Sequence, residues 1–306
     1  MTAPLTTVAR FLPAIPGATQ SQLTIVPNLI QAASNIAVRY TNRQFWQADY
    51  TEYRDSSLSN SIILRQFPVN QITRISFNLQ PVLTITSTNT SYQRALAQLD
   101  TSGTLETGLT VNGIRLSWLN SGVAGTTLID TSTLLTLQSV ADAITALGNG
   151  WSVNVLAGFS QYPTTDICPI RGGGSCRGTG CDFSIYTQDA NNYQVDPGIG
   201  EIKLIDRTNA NFFAFTSYPW TNSWGNPGYR NIRIDYNAGF VAIPEDVQQA
   251  VVLIAQMLYE IGDQTLVTKM VKVFDYQEET DADLIAIPDA AKEILNLYRN
   301  FRSSGE

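Results

Sequence analysis

"RIDYNAGFVAIPEDVQQAVVLIAQMLYE", residues 233–260, decides how the chain is read, because a strand-like stretch passes through a glycine into a helix opened by a proline. Nucleotide-binding folds cradle phosphate at a glycine in that position, so the first question is whether Gly239 binds a ligand or only turns the chain. Pro244 suits the first helical turn, and Glu245 and Asp246 follow it where the helix dipole is positive. Their charge repels an anion from that end, so Gly239 is read as a change of direction. Beyond it Val247, Ala250, Val251, Ile254, Met257, Leu258 and Ile261 share one helical face, broad enough to pack on another helix or on a neighbouring chain.

A helix to meet that face lies near the start. Leu23, Val26, Leu29, Ile30, Ala33, Ile36, Ala37 and Tyr40 recur at three- and four-residue steps, with Pro27 in the first turn, where a missing amide costs little. After it "FWQADYTEY", "SIILRQF" and "NQITRISFN" are short, aromatic and β-branched, and separated by turn residues, which reads as a meander of three antiparallel strands. Residues 81–190 change texture, being rich in Thr, Ser, Gly and Asn. There "LTVNGIRLSWL" reads as a hairpin turning at Asn112-Gly113. Leu137, Val140, Ala141, Ile144 and Leu147 mark one helix ended by Gly148, and the strand "WSVNVLAGF" follows. "GEIKLIDR" and "NIRIDY" resume the earlier style, "KMVKVFDYQ" reads as a strand, and "PDAAKEILNLYRNFR" makes a last helix. The expected fold is α+β: a small helical core with antiparallel strands in residues 1–80 and 191–306, interrupted by an inserted β-rich domain, 81–190, that contains one helix.

Composition narrows the function. The 306 residues include no histidine, which removes the usual general base, the neutral-pH proton shuttle and the commonest metal ligand. A Ser-His-Asp or Cys-His centre cannot be built within this chain. Net charge is −7, and the acids gather toward the C-terminal side: residues 1–80 carry six Arg against three acids, 81–190 four Arg against seven, and the rest nine basic against sixteen acidic groups. Such a surface repels phosphate backbones, so a grip on nucleic acid is not expected, whereas a surface that DNA slides past is allowed. No apolar run of bilayer length occurs, and the start lacks the charged-then-apolar order of a signal peptide, so a cytoplasmic, membrane-free protein is expected.

Two local features invite a ligand. Cys168, Cys176 and Cys181 lie close in sequence, but three thiols make an incomplete zinc set unless Asp166 or Asp182 joins; free thiols are expected in a reducing compartment, and a disulfide could form later if the protein ends up outside the cell. The intervening "RGGGSCRGTGCD" lacks the spacing and the Lys-Ser/Thr pair of a phosphate loop and reads as a surface or subunit-contact loop. The stretch "NFFAFTSYPWTNSWGNPGYR" is aromatic enough to fold back on its domain or to meet a partner. Phe212, Phe213, Phe215, Trp220, Trp224 and Tyr229 are accordingly the candidates for a subunit interface.

Taken together, "LIQAASNIAVRYTNRQF", "YTEYRD", "IILRQFPVNQITRIS" and residues 233–260 resemble the head-to-tail connector, or adaptor, proteins of tailed bacteriophages. The matching positions are Arg39, Tyr40, Arg43 and Phe45 at the end of the first helix, Arg65, Pro68 and Val69 in a strand pair, and Tyr236, Ala238, Gly239, Phe240, Pro244, Glu245 and Asp246 at the turn into the long helix. The resemblance covers residues 20–80 and 190–302, and residues 81–190 have no counterpart in compact members. It implies a structural virion protein without catalytic centre, metal or cofactor. Such a protein forms a dodecameric ring beneath the portal protein, joins a downstream neck or tail protein, and leaves a channel for DNA. It sits in the virion neck after assembly in the host cytoplasm. The family's C-terminal portal contact would fall at Ile294, Leu297, Tyr298, Phe301 and Arg302.

Two other classes stay open on the residues alone. A carboxylate pair could hydrolyse glycans without histidine, although no pair here is distinguished by spacing. The β-rich domain could bind glycans on Trp118 or Trp151, both of which sit in alternating stretches where burial is the commoner fate.

Overall fold

The helix that opens at Pro244 packs where its apolar face requires, against the N-terminal helix, in a computed structural model that describes residues 3–56, 61–104, 108–170, 173–204, 228–263 and 287–299. The elements of this helical layer are α1 (Val8–Phe11), α2 (Gln20–Leu23), α3 (Val26–Thr41), α5 (Glu245–Asp263) and α6 (Asp289–Asn296). Val26, Ile30, Ala33 and Ala37 of α3 meet Val247, Ala250, Val251, Ile254 and Leu258 of α5, with Ala291 and Leu295 of α6 in the same buried cluster. Leu23 ends the separate helix α2 rather than opening α3. The buried Ser34 inside this layer is satisfied: it donates to Ile30 O at 2.7 Å and accepts from Leu5 N at 2.9 Å. Truncating a wholly buried aliphatic side chain such as Ile254 would cost about 2–5 kcal/mol.

The strands β1 (Ala48–Ser56), β2 (Ser61–Ile63) and β3 (Val69–Ser87) occur as expected, but they are not a meander. β12 (Gly228–Ala238) lies between β1 and β3, antiparallel to both, while β2 pairs with β11 (Glu201–Leu204), which pairs with β10 (Tyr193–Asp196). The reason is the alternation in β12: Ile232, Ile234, Tyr236 and Ala238 are all buried and need covered neighbours on one face. Ile234 sits opposite Ile75 and Ile232 opposite Phe77, in a second buried cluster with Tyr50, Leu64 and Val69.

β3 has 19 residues and passes straight through the expected boundary at 80/81. Asn78 takes a left-handed φ of 61°, and the register shifts between Pro81 and Leu83, so turn-like residues are absorbed without ending the strand. Its far half pairs with β7 (Trp151–Val155) and β9 (Cys181–Asp189). Beneath lies a third cluster, built with α4 (Leu137–Ala146) and the sheet β6-β5-β4-β8: β4 (Tyr92–Thr104), β5 (Gly108–Asn120), β6 (Val123–Asp130) and β8 (Gly173–Ser175). Helix α4 ends as expected, with Gly148 at φ +63°.

The expected hairpin at Asn112-Gly113 is corrected: both residues lie inside β5. Thr101 pairs with Val111 and Asp100 with Gly113, which leaves Asn112 as the extra residue of a bulge. A Cβ on Gly113 would stand 2.6 Å from Ile129 O, so glycine is there for the close approach of β6. The turn falls at Ser121-Gly122, both at positive φ (48° and 82°) between paired Asn120 and Val123. The glycine-cysteine stretch is likewise built in: β8 pairs with β4, and Cys176 and Cys181 are buried. The fold is α+β, and among the described residues no helix is long and apolar enough to cross a membrane.

Candidate functional site

The residues that carry the family resemblance converge at the joint between the helical layer and the β1-β12-β3 sheet. Helix α3 stops at Asn42, whose left-handed conformation (φ 52°, ψ 40°) turns the chain so that Arg43 and Phe45 point inward. Arg43 is 3% exposed. Its guanidinium carbon lies 4.0 Å from the ring centroid of Phe67, 5.3 Å from Phe45, 5.5 Å from Phe240 and 6.0 Å from Tyr298. Such a box attracts a cation through the ring quadrupoles. Nη1 donates to Tyr298 O at 3.4 Å, while Nε and Nη2 have no hydrogen-bond partner. Burial pushes this guanidinium down from 12.5 to about 10, against the raising effects of Tyr298 and Tyr50, so it stays charged at neutral pH.

The rings also hold one another. Phe45 stacks on Phe240 at 6.5 Å, and Tyr298 meets both edge-on at 5.8 Å and 6.2 Å. Backbone bonds fasten the corner: Phe240 N donates to Phe45 O at 2.7 Å, and Gly239 N donates to Pro68 O at 2.9 Å. The Phe67-Pro68 bond is cis. Gly239 has φ +104°, and a Cβ there would stand 2.5 Å from Trp46 O, so only glycine fits. It turns the chain, as its sequence context predicts.

Below the rings, Tyr236 is 1% exposed and donates to the buried Glu52 carboxylate. Glu52 also accepts from Arg65 N and Arg54 Nε, each at 2.8 Å, which supplies the donors a buried carboxylate needs. Burial, then the neighbouring Glu52, raises the Tyr236 phenol far above its ordinary range, so it serves as a proton donor throughout. Above the rings, Tyr298 donates to both carboxylate oxygens of Asp246, at 2.9 Å and 2.8 Å, in the first turn of α5. Burial and that bond push its phenol up to about 12. Tyr40 donates to Asn296 Oδ1 at 2.8 Å, and Arg299 lies 5.1 Å over the Tyr40 ring.

The structure therefore brings together Arg43, Phe45, Pro68, Tyr236 and Gly239, whereas Pro244 opens α5 and Arg39 is exposed on the last turn of α3. Of the C-terminal candidates, Ile294 packs on the helical cluster, Tyr298 belongs to the joint and Leu297 is 80% exposed. Phe301 and Arg302 lie outside the described residues, as do Phe212, Phe213, Phe215, Trp220 and Trp224; Tyr229 falls in β12. Asp246, a matching position already, joins them, and Phe67 and Glu52 complete the joint; of these two only Glu52 carries a local sign, an acid on the inward face of an alternating strand. Trp151 is 4% exposed, with Tyr92 tilted against it at 6.2 Å and Trp118 edge-on at 6.4 Å, which spends its ring on the core. Among the described residues no group of three His, Cys, Asp or Glu side chains is arranged to hold a metal ion, and Asp166 is ion-paired with Arg74 at 2.8 Å.

No family model matches the chain, and no curated protein matches it. Two solved structures are similar. A chain from the neck of an empty GTA particle, computed with C6 symmetry, is 13% identical with a TM-score of 0.35, covering 100% of this chain and 96% of that one. A chain from the virion of a native gene transfer agent particle is 12% identical with a TM-score of 0.37, over the same 100% and 96%.

Proposed function

We propose that this chain is a structural, non-enzymatic virion protein, a head-to-tail adaptor. Copies form a homo-oligomeric ring, dodecameric like the portal-associated rings of the family it resembles. The ring sits beneath the portal protein, bears the next neck or tail protein, and leaves DNA an open passage. The observation that carries this reading is the joint: segments from residues 39–68, 236–246 and 298 meet between the helical and the sheet clusters, although about a hundred and fifty residues separate Phe77 from Gly228 in sequence. Residues 1–80 and 191–306 then form the adaptor core, and residues 81–190 are an added domain tied to it through β3 and β9. A predominance of acids in residues 191–306 suits a conduit that must pass DNA without retaining it.

Leu297 supplies the test. It is 80% exposed at the end of α6 and, among the described residues, is the candidate portal contact that no internal packing explains. A pull-down of the full chain on its matched portal protein should retain wild type and lose most of Leu297→Asp, while both melt alike. Equal retention of the two would remove this segment from the contact.

A further inference from the structure

Cys176 and Cys181 flank an exposed turn between β8 and β9, yet both are buried, at 0% and 5% exposure. Two neighbouring strands set their spacing independently. Along β3, Cys181 stands opposite Ile85, and Cys176 O accepts from Ser87 N at 2.7 Å, two residues further on. Along β4, Cys176 N donates to Ala95 O at 2.8 Å, and the Cys181 thiol lies 3.9 Å from Ala97 O, again two residues away. Two strand steps span about 6.6 Å and return side chains to one face. That separation falls inside the roughly 4.4–6.8 Å between Cα atoms that a disulfide bridges. The two thiols are near enough to act on each other: Cys181 is the first cause of raising Cys176, which holds its proton, and Cys176 the first cause of lowering Cys181. Cys168 is engaged elsewhere, with its sulfur 3.5 Å from the Tyr186 hydroxyl. All three are free thiols in this structure.

We propose that Cys176 and Cys181 are an oxidation site: a small-molecule disulfide such as oxidised glutathione converts them to an intrachain disulfide that closes the β8–β9 turn and ties the end of β8 to the start of β9. The Cys181 thiolate attacks one glutathione sulfur and expels the other glutathione. Cys176 then gives up its proton and attacks Cys181 sulfur, expelling the second. One disulfide is consumed and one formed, and the two cysteine protons end on the two released glutathione thiols. Access comes through β8, whose Gly173, Gly174 and Ser175 are exposed and, among the described residues, pair with Gln98, Ala97 and Leu96 of β4. Reduced, this edge is held by hydrogen bonds to β3 and β4; oxidised, it is also tied covalently to β9 at its root.

The experiment treats the folded full-length chain with oxidised glutathione, alkylates it in denaturant, and reads intact and peptide masses. The expected result is one alkylated residue, Cys168, a single peptide linkage between Cys176 and Cys181 with two hydrogens lost, and a thermal midpoint above that of the reduced protein. C176S and C181S should show no internal bond and no such rise. Three alkylated cysteines, in a sample whose urea-unfolded aliquot does oxidise, would overturn the proposal. A bond to Cys168, or a glutathione adduct that persists on wild-type Cys181, would overturn it equally.

Discussion

Replacing Arg43 by methionine asks whether a buried charge or the packing around it holds the joint. A fall in the Arg43 value from 12.5 to about 10 corresponds to a penalty of about 3 kcal/mol for keeping the cation inside. Against it stand the four rings within 6.0 Å, which contribute about 2–4 kcal/mol if each is worth about 0.5–1 kcal/mol. The bond to Tyr298 O is long, at 3.4 Å, and adds little. The terms nearly cancel. Methionine keeps most of the volume and removes the two unpartnered donors, so Arg43→Met should unfold in urea within about 1 kcal/mol of wild type. Arg43→Ala, which leaves a hole among the rings, should lose about 3–5 kcal/mol. The sign with pH follows from the depressed folded value: the unfolded chain binds this proton more tightly, so the penalty is complete below about 10 and eases only as pH rises through it. The difference between wild type and Arg43→Met should therefore stay constant across neutral pH. A loss above about 3 kcal/mol in Arg43→Met would refute this reasoning, because the guanidinium would then be a net source of stability.

Further outcomes follow from the same joint. Gly239→Ala adds a left-handed residue, about 1–2 kcal/mol, and a backbone overlap at Trp46 O, about 1–3 kcal/mol more, so equilibrium unfolding should show a loss near the sum. Tyr298→Phe removes the donation to Asp246 and should cost about 1 kcal/mol at neutral pH. Because the Tyr298 phenol is raised, its contribution is complete below its ordinary value of 10.0 and fades as pH climbs through about 12, so stability curves of wild type and Tyr298→Phe should converge there. Leu297→Asp should leave the melting curve within about 0.5 kcal/mol of wild type while lowering portal retention at least tenfold.

What the sequence reveals and what it hides have separate physical causes. Helices α3 and α5 are readable because a 3.6-residue period writes each buried face into consecutive residues. The place of β12 between β1 and β3 is not, since pairing partners far apart in the chain leave no local mark, and neighbours in sequence are the natural first guess. Asn78 and Pro81 look like a break but are absorbed by a continuous strand, and Asn112-Gly113 looks like a turn but is a bulge held against β6. In each case a pairing partner outweighed a local preference. The joint was readable residue by residue, in Arg43, Phe45, Tyr236 and Gly239. Its closure by Phe67 and Tyr298 around one cation was not, because it requires segments from both ends of the chain at once.

Native mass spectrometry of the full-length chain mixed with its matched portal protein tests the central claim most directly. The account predicts one portal ring carrying a complete ring of this chain, with no partially filled species dominating. Portal rings that stay bare while this chain remains folded and monomeric at the same concentrations would contradict it.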